Sequence, residues 1–454
     1  MKRWAAAAIA SGIALGLFTS WWLLRPTPYV DPPIPEMADR PDPGVAPNVV
    51  LVIGCTVRRD QLTPYGGPEN TTPFLAELAK AGAQFEDVIA ASSWTKASAV
   101  AMITGRHALS VGMVEPDGGR NERTLHPSIT TLAEYFVAAG YETMGVTANP
   151  NLNREFGLAQ GFDSYWDVEG RINEDKVSGY KVVERALELV DSRESQDRPL
   201  FLRTVFVDAH APRDHLRVAE LNRFRGPGVS SIVSGYRGYL RRFDDAVRAL
   251  DVGLRERGFD ADNTFFVVVA DHGEGLDMPR HQRGHGRTLY GSMVQVPLII
   301  RGPGVPAGTE ISGLASLIDL PNTLLGLVGA DGPQHGEDWS AQVRGEIPWT
   351  TRHKAYADTW FYEIRRSGVW TTTEMCQRDF GSTAWREGIV FEEGCFRRTT
   401  DPDFDHPLPP TLLMRDLERW RDERIAGAGK FRFSGNAGVS DDLSEQLEAL
   451  GYVD

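Results

Sequence analysis

Phe265-Phe266-Val267-Val268-Val269-Ala270 runs without a break into Asp271-His272-Gly273-Glu274-Gly275. Six apolar residues with no polar alternation read as a strand buried on both faces, as strands of a parallel sheet are. Val49-Val50-Leu51-Val52-Ile53 has the same character, as do Val296 to Ile300 and, less purely, Leu200 to Val207, with Thr143 to Thr147 a weaker fifth run. Helical patterns separate these runs. Thr72-Pro73 predicts an N-cap and first-turn proline ahead of Phe74, Leu75, Leu78, Ala79 and Gly82, and Thr131 with Glu134 predicts a capping box ahead of Gly140. Strands alternating with helices predict an α/β fold with a mostly parallel central sheet flanked by helices.

Ligands of such sheets bind beyond the carboxyl ends of the strands. The residues there are Gly54-Cys55-Thr56, then Asn149, then Asp208-Ala209-His210, then Asp271-His272. A single Asp or His at a strand end is more often a turn former, but four such ends on one rim predict a site. Asp271 and His272 offer a carboxylate and an imidazole to one divalent cation. Downstream, His285 lies between Gly284 and Gly286, which permit close approach to a ligand, whereas His281 reads equally well as a surface loop residue. Trp94-Thr95-Lys96-Ala97-Ser98 through Thr104-Gly105 predicts a helix of about nine residues. Thr95 then sits where backbone N–H groups and the helix dipole favour anions, and is the nucleophile candidate, although Thr is also a common N-cap. Asn149, Asp208 and Lys96 are the substrate-binding candidates of the same rim.

The whole chain has 454 residues, 41% hydrophobic, with 48 Lys+Arg against 62 Asp+Glu, a net charge of -14. This composition excludes a disordered tail protein and a polytopic membrane protein, and an acidic chain without a Lys/Arg block predicts no nucleic-acid partner. Trp4 to Leu24 carries no charge over 21 residues after Lys2-Arg3, and ends in Trp21-Trp22 with no cleavage-site pattern. Residues 1–25 are therefore expected to be an uncleaved signal anchor, a single-pass membrane helix with the main body outside the cytoplasmic membrane. Eight prolines among residues 26–47 predict a stiff stalk. The body is expected to divide into 48–335 and a C-terminal subdomain, 336–454, whose tryptophans read as core. Of 3 cysteines, Cys376 and Cys395 are the plausible disulfide in an oxidising compartment, leaving Cys55 outside it.

Taken together, Asn48 to Asp60 with Tyr65-Gly66, Thr72-Pro73-Phe74-Leu75, Trp94-Thr95, Thr104-Gly105-Arg106, Gly161-Phe162-Asp163, Asp271-His272-Gly273-Glu274, Gly284-His285-Gly286-Arg287, Val296-Pro297 to Gly304 and Ile318-Asp319-Leu320-Pro321 resemble the sulfatase family of the alkaline-phosphatase superfamily. The resemblance covers about Asn48 to Gly329 and implies that family's fold, a mostly parallel sheet flanked by helices with a smaller C-terminal α+β subdomain. It places the metal pair on Asp271 and His272, the nucleophile on Thr95, and the histidines that contact the transferred anion on His210 and His285. The first metal aspartate falls on Cys55 and the next carboxylate on Thr56; zinc is expected if Cys55 is a ligand, and otherwise calcium, magnesium or manganese. The formylglycine window reads Thr95-Lys96-Ala97-Ser98-Ala99, so no formylglycine is expected. The resemblance implies a metal-dependent hydrolase of sulfuric or phosphoric esters, acting on a small-molecule, glycan or lipid ester. A phosphoethanolamine- or phosphoglycerol-type transferase and a catalytically inactive sulfatase-like binding protein are the alternative readings.

Overall fold

The computed structural model describes residues 46–449 apart from 115–122, 168–177, 194–195, 212–219, 221, 279–281, 334, 362, 383–390, 399, 401–405, 410 and 429–439. The expected anchor, nearly all of the stalk and His281 lie outside the described residues. Among those described, no helix is long and apolar enough to cross a membrane.

Eight strands form the central sheet: β1 (Asn48–Gly54), β2 (Ala83–Ile89), β3 (Glu142–Thr147), β4 (Ser164–Asp167), β5 (Leu200–Phe206), β6 (Thr264–Ala270), β9 (Gln295–Arg301) and β10 (Thr309–Ser316). β7 (Gly275–Met278) and β8 (Gln282–Gly284) form a separate two-stranded ribbon between them. The order across the large sheet is β10-β2-β9-β6-β1-β5-β3-β4. Neighbours are parallel except at β9, which runs antiparallel to both β2 and β6. The expectation that Val296 to Ile300 is one more parallel strand is therefore corrected. Burial on both faces selects the same residue types whichever way a strand runs, so direction leaves no mark on the apolar run.

Thr72 holds the N-cap position and Pro73 the first turn as expected, but the Thr72 hydroxyl makes no cap bond and accepts from Thr63 N at 2.9 Å instead. The first N–H groups of the helix Pro73–Lys80 go to Asp244, at 3.0 Å from Phe74 and 2.9 Å from Leu75. At Thr131 the capping box forms as expected.

A second, four-stranded antiparallel sheet is built from β11 (Ala355–Phe361), β12 (Ile364–Trp370), β13 (Glu374–Asp379) and β14 (Gly394–Arg397), in that order. Cys376 and Cys395 face each other across β13 and β14 and are disulfide-bonded, while Cys55 takes no part in a disulfide. The helix Leu412–Ala428 covers this sheet, burying Leu413, Leu417 and Trp420 on one face. The charged run Arg415 to Arg424 thus belongs to a helix with one apolar face, and Trp339, Trp360 and Trp370 are core residues as expected.

Candidate active site

β6, β1, β5 and β3 are adjacent in the sheet, so the four strand ends read from the sequence open on one rim only about 15 Å wide. Immediately past β1, Cys55 is followed by Thr56, a β-branched residue held at φ 59°. That backbone is strained for Thr and is fixed by three bonds. Thr56 N donates to Asp271 Oδ1 at 3.0 Å, Thr56 Oγ1 donates to Cys55 O at 2.7 Å, and the Tyr236 hydroxyl donates to Thr56 O at 2.6 Å.

Past β6, Asp271 Oδ1 takes a second backbone N–H, from His272 at 2.7 Å. Its other oxygen, Oδ2, is buried with no hydrogen-bond partner, 3.5 Å from His272 Nε2. His272 Nδ1 lies 2.8 Å from Gly273 O, a geometry that assigns the proton to Nδ1 and leaves the lone pair on Nε2. Burial lowers the His272 pKa, chiefly by desolvation, and favours that neutral ring. Gly273 admits no side chain, because a Cβ there would meet Ser292 O at 1.9 Å.

The nucleophile candidate enters from the helix Thr95–Thr104, which ends at Gly105 in the left-handed conformation as its sequence predicts. Thr95 is the first helical residue, and Trp94 holds the N-cap position without a side-chain cap bond. The Thr95 hydroxyl points elsewhere: Oγ1 is 3.2 Å from His272 Nε2, 3.3 Å from Cys55 Sγ and 3.5 Å from Asn149 Nδ2. Asn149 Nδ2 also donates to Cys55 Sγ at 3.3 Å, while Asn149 Oδ1 is held by Asn151 N at 2.9 Å. One turn along the helix, Ser98 Oγ donates to Asp271 O at 2.6 Å and locks the helix to the end of β6.

His285 and His210 complete the arrangement. The His285 ring stands 4.6 Å from that of His272 and 4.9 Å from that of His210, centre to centre, and Glu274 Oε1 lies 3.4 Å from its Nδ1. Cys55, Thr95, Asn149, Asp271, His272, His210 and His285 are thus brought together. Asp208 and Lys96 are tied to the scaffold: Asp208 Oδ1 accepts from Gly179 N at 3.0 Å, and the Lys96 ammonium lies 3.2 Å from the centre of the Phe156 ring. Ser98, Glu274 and Tyr236 support the site without having been singled out in the sequence. Ser98 carried the available signal, one helical turn after Thr95 on the same face. Nothing in the sequence places Tyr236 beside Thr56.

One donor atom each from Cys55, Asp271 and His272 lies within 4.8 Å of the others, all three residues being buried. Together with the orphaned Asp271 Oδ2, that donor set fits a divalent cation. Its sulfur and nitrogen atoms suit a borderline-soft ion such as zinc better than calcium.

The model of the family described as "Sulfatase" matches residues 47–330, more than half of the chain. N-acetylgalactosamine-6-sulfatase of Sus scrofa is 26% identical over 338 residues, which cover 63% of this chain and 63% of that protein. The chain therefore spans less than two thirds of that relative's length. An ulvan-active sulfatase of Formosa agariphila is 22% identical over 359 residues, covering 70% of this chain and 69% of its own. Among solved structures, a phosphonate monoester hydrolase of Agrobacterium radiobacter superposes with a TM-score of 0.63 at 16% identity, covering 85% of this chain and 96% of that one.

Proposed function

Because the chain belongs to the sulfatase family, we propose that it hydrolyses sulfuric or phosphoric esters with Thr95 as the nucleophile. The observation that carries this reading is the convergence of Cys55 Sγ, His272 Nε2 and Asn149 Nδ2 on the Thr95 hydroxyl at a helix N-terminus. A hydroxyl held at that point by three side chains is oriented before any substrate arrives.

Cys55, Asp271 and His272 would hold the divalent cation, and a bound cation there lowers the pKa of a neighbouring hydroxyl and neutralises charge on the transferred group. Thr95 Oγ1 gives up its proton to water and attacks the sulfur or phosphorus, and the bond to the alcohol oxygen breaks. His285, oriented by Glu274, and His210 face the transferred group, stabilise its charge and supply the proton that the departing alcohol needs. The Thr95 ester is then cleaved by water, which restores the hydroxyl and releases sulfate or phosphate. An acceptor alcohol in place of that water gives the transferase alternative.

The inactive alternative is favoured by Cys55, Thr56 and Ala99, which stand where the family carries two metal carboxylates and an arginine. A periplasmic or otherwise extracytoplasmic location, with residues 1–25 as a membrane anchor, remains part of the proposal, and the Cys376–Cys395 disulfide supports an oxidising compartment. β1 begins at Asn48 and ends at the site, so the site opens away from the point where residues 1–47 join the body. That orientation favours a soluble or glycan ester over the headgroup of the anchoring membrane.

The full chain, purified without chelator, tests the proposal by its metal content and by turnover of aryl sulfates, phosphomonoesters and phosphodiesters. About one divalent ion per chain, with turnover of at least one ester class abolished by Thr95→Ala, is expected. No ion after addition of zinc or manganese, and no turnover, would transfer the chain to the inactive alternative.

A further inference from the structure

The second sheet touches the site at two loops. Its edge strand, β11, extends to the segment before the Thr95 helix: Asp358 N donates to Ala91 O at 3.0 Å, and Ser92 Oγ donates to Asp358 O. On the next residue, Thr359 Oγ1 donates to Gly286 O. The N–H of the same Gly286 donates to Ser93 O at 2.8 Å. Both backbone polar groups of the residue after His285 are therefore fastened, one to the approach to Thr95 and one to β11.

Phe361 closes the same joint. Its ring packs on Trp94 with 5.2 Å between centres, and a Cβ on Gly286 would meet it at 2.9 Å. Gly286 has φ +80°, which favours glycine in its own right. Thr359 is wholly buried, and its β-branch limits the rotamers from which it can donate.

We propose that Thr359 is a positioning residue for His285, holding the imidazole at its distance from His272 and His210 through the Gly286 carbonyl. The inference rests on the catalytic reading above for its consequence in turnover, but its geometry stands apart from it. Residue 359 lies beyond the stretch matched by the family model, so nothing in that match assigns it a role. A hydroxyl whose only task was to satisfy a buried carbonyl would be replaceable without effect on a neighbouring ring. Here the carbonyl belongs to the residue next to His285, and a displaced loop alters both of that ring's imidazole contacts.

The test is the positions of the histidine ring resonances by NMR on the full chain at one fixed pH, with His285 assigned through His285→Gln. Thr359→Val is expected to shift the His285 ring resonances while leaving those of His126 in place, and Thr359→Ser is expected to restore them. A folded Thr359→Val protein with unaltered His285 ring resonances overturns the proposal. Should that variant not fold, Thr359→Cys, whose thiol is a weak donor, takes its place with the same readout. In turnover, Thr359→Val is expected to lower kcat roughly ten-fold with KM little changed, and to have no further effect in a His285→Ala background. A chain that turns over no ester refutes the catalytic reading but leaves the His285 ring resonances to decide this one.

Discussion

Two buried carboxylate–imidazole pairs adjoin Thr95 and the segment that leads into it, one through His272 and one through Asp358. In one, Asp271 keeps Oδ1 on two backbone N–H groups and turns Oδ2, without a hydrogen bond, toward His272 Nε2 and Cys55. In the other, at the seam between the two sheets, neither oxygen of Asp358 finds a hydrogen bond, and His107 Nδ1 stands 3.9 Å away. That separation is too long for a hydrogen bond. Burial pushes Asp358 up to about 8 and His107 down to about 3, so at neutral pH the second pair is uncharged and is no salt bridge. Adjacency of Asp and His therefore does not mark a metal site. What sets the first pair apart is a third donor converging from another strand and backbone N–H groups that hold one carboxylate oxygen while the other faces that donor set.

The comparison breaks first at Asp271. Asp271→Asn keeps the shape but removes the charge offered to the proposed cation, and is expected to lose metal from the chain and lower kcat by about a thousand-fold or more. Asp358→Asn should leave metal content as it was. Elemental analysis of both variants beside the unmodified chain checks this, and loss of metal in Asp358→Asn would erase the distinction between the pairs.

Next in size is the stability of the seam. Asp358 titrates near 8 when folded and near its ordinary 3.8 when unfolded, so the folded state holds a proton that the unfolded state has lost. Its contribution is intact below pH 4 and is lost as pH rises toward 8, at about 1.4 kcal/mol per pH unit. Asp358→Asn, neutral at every pH, should be more stable than the unmodified chain by a few kcal/mol at pH 8 and hardly at all at pH 4. Denaturation midpoints at the two pH values measure the difference. His107 has the opposite sign: its folded pKa is depressed, so its stability is present above the ordinary value and falls away in acid.

The two pairs also differ in how far the sequence displayed them. Asp271 and His272 are consecutive and follow an apolar run, so one strand pattern put both on the rim. His107 and Asp358 are 251 positions apart, and only the docking of β11 on Ser92 brings them together. The same division holds for the strands. β1, β3, β5 and β6 are buried along their length and stood out as apolar runs, whereas β2 and β10 carry half-exposed residues within the pattern and were passed over. Thr95, Cys55 and Asn149 were legible because each stands just past a strand or opens a helix. Tyr236 and Thr359 were not, since their roles depend on tertiary contacts that leave no local trace.

A smaller effect separates the pairs through the disulfide. Cys376–Cys395 staples β13 to β14 on the side of the second sheet away from β11. Replacing both cysteines by serine should cost about 3 kcal/mol, as expected for a short closed loop. If the seam depends on the second sheet and the metal corner on the first, the loss will appear in denaturation midpoints and in the pH dependence assigned to Asp358, with metal content unchanged. Loss of metal on this change would make the second sheet part of the metal corner as well.

The smallest effect supplies the scale for the others. At Thr131 one carboxylate oxygen and the hydroxyl are both paired: Glu134 Oε2 accepts from Thr131 N at 2.8 Å and from Gln160 Nε2 at 2.8 Å, while Thr131 Oγ1 accepts from Glu134 N at 3.3 Å and donates to Gln160 O at 2.9 Å. Thr131→Ala breaks the side-chain half of this box and should cost about 1 kcal/mol, read from the denaturation midpoint. The cost is modest because Glu134 and Gln160 are only half-buried and Glu134 Oε2 keeps its bond from the backbone N–H of residue 131, whereas neither oxygen of Asp358 has a hydrogen bond inside the seam. If Thr131→Ala costs as much as Asp358→Asn gains at pH 8, burial is not what distinguishes these carboxylates, and the argument built on the orphaned oxygens of Asp271 and Asp358 loses its basis.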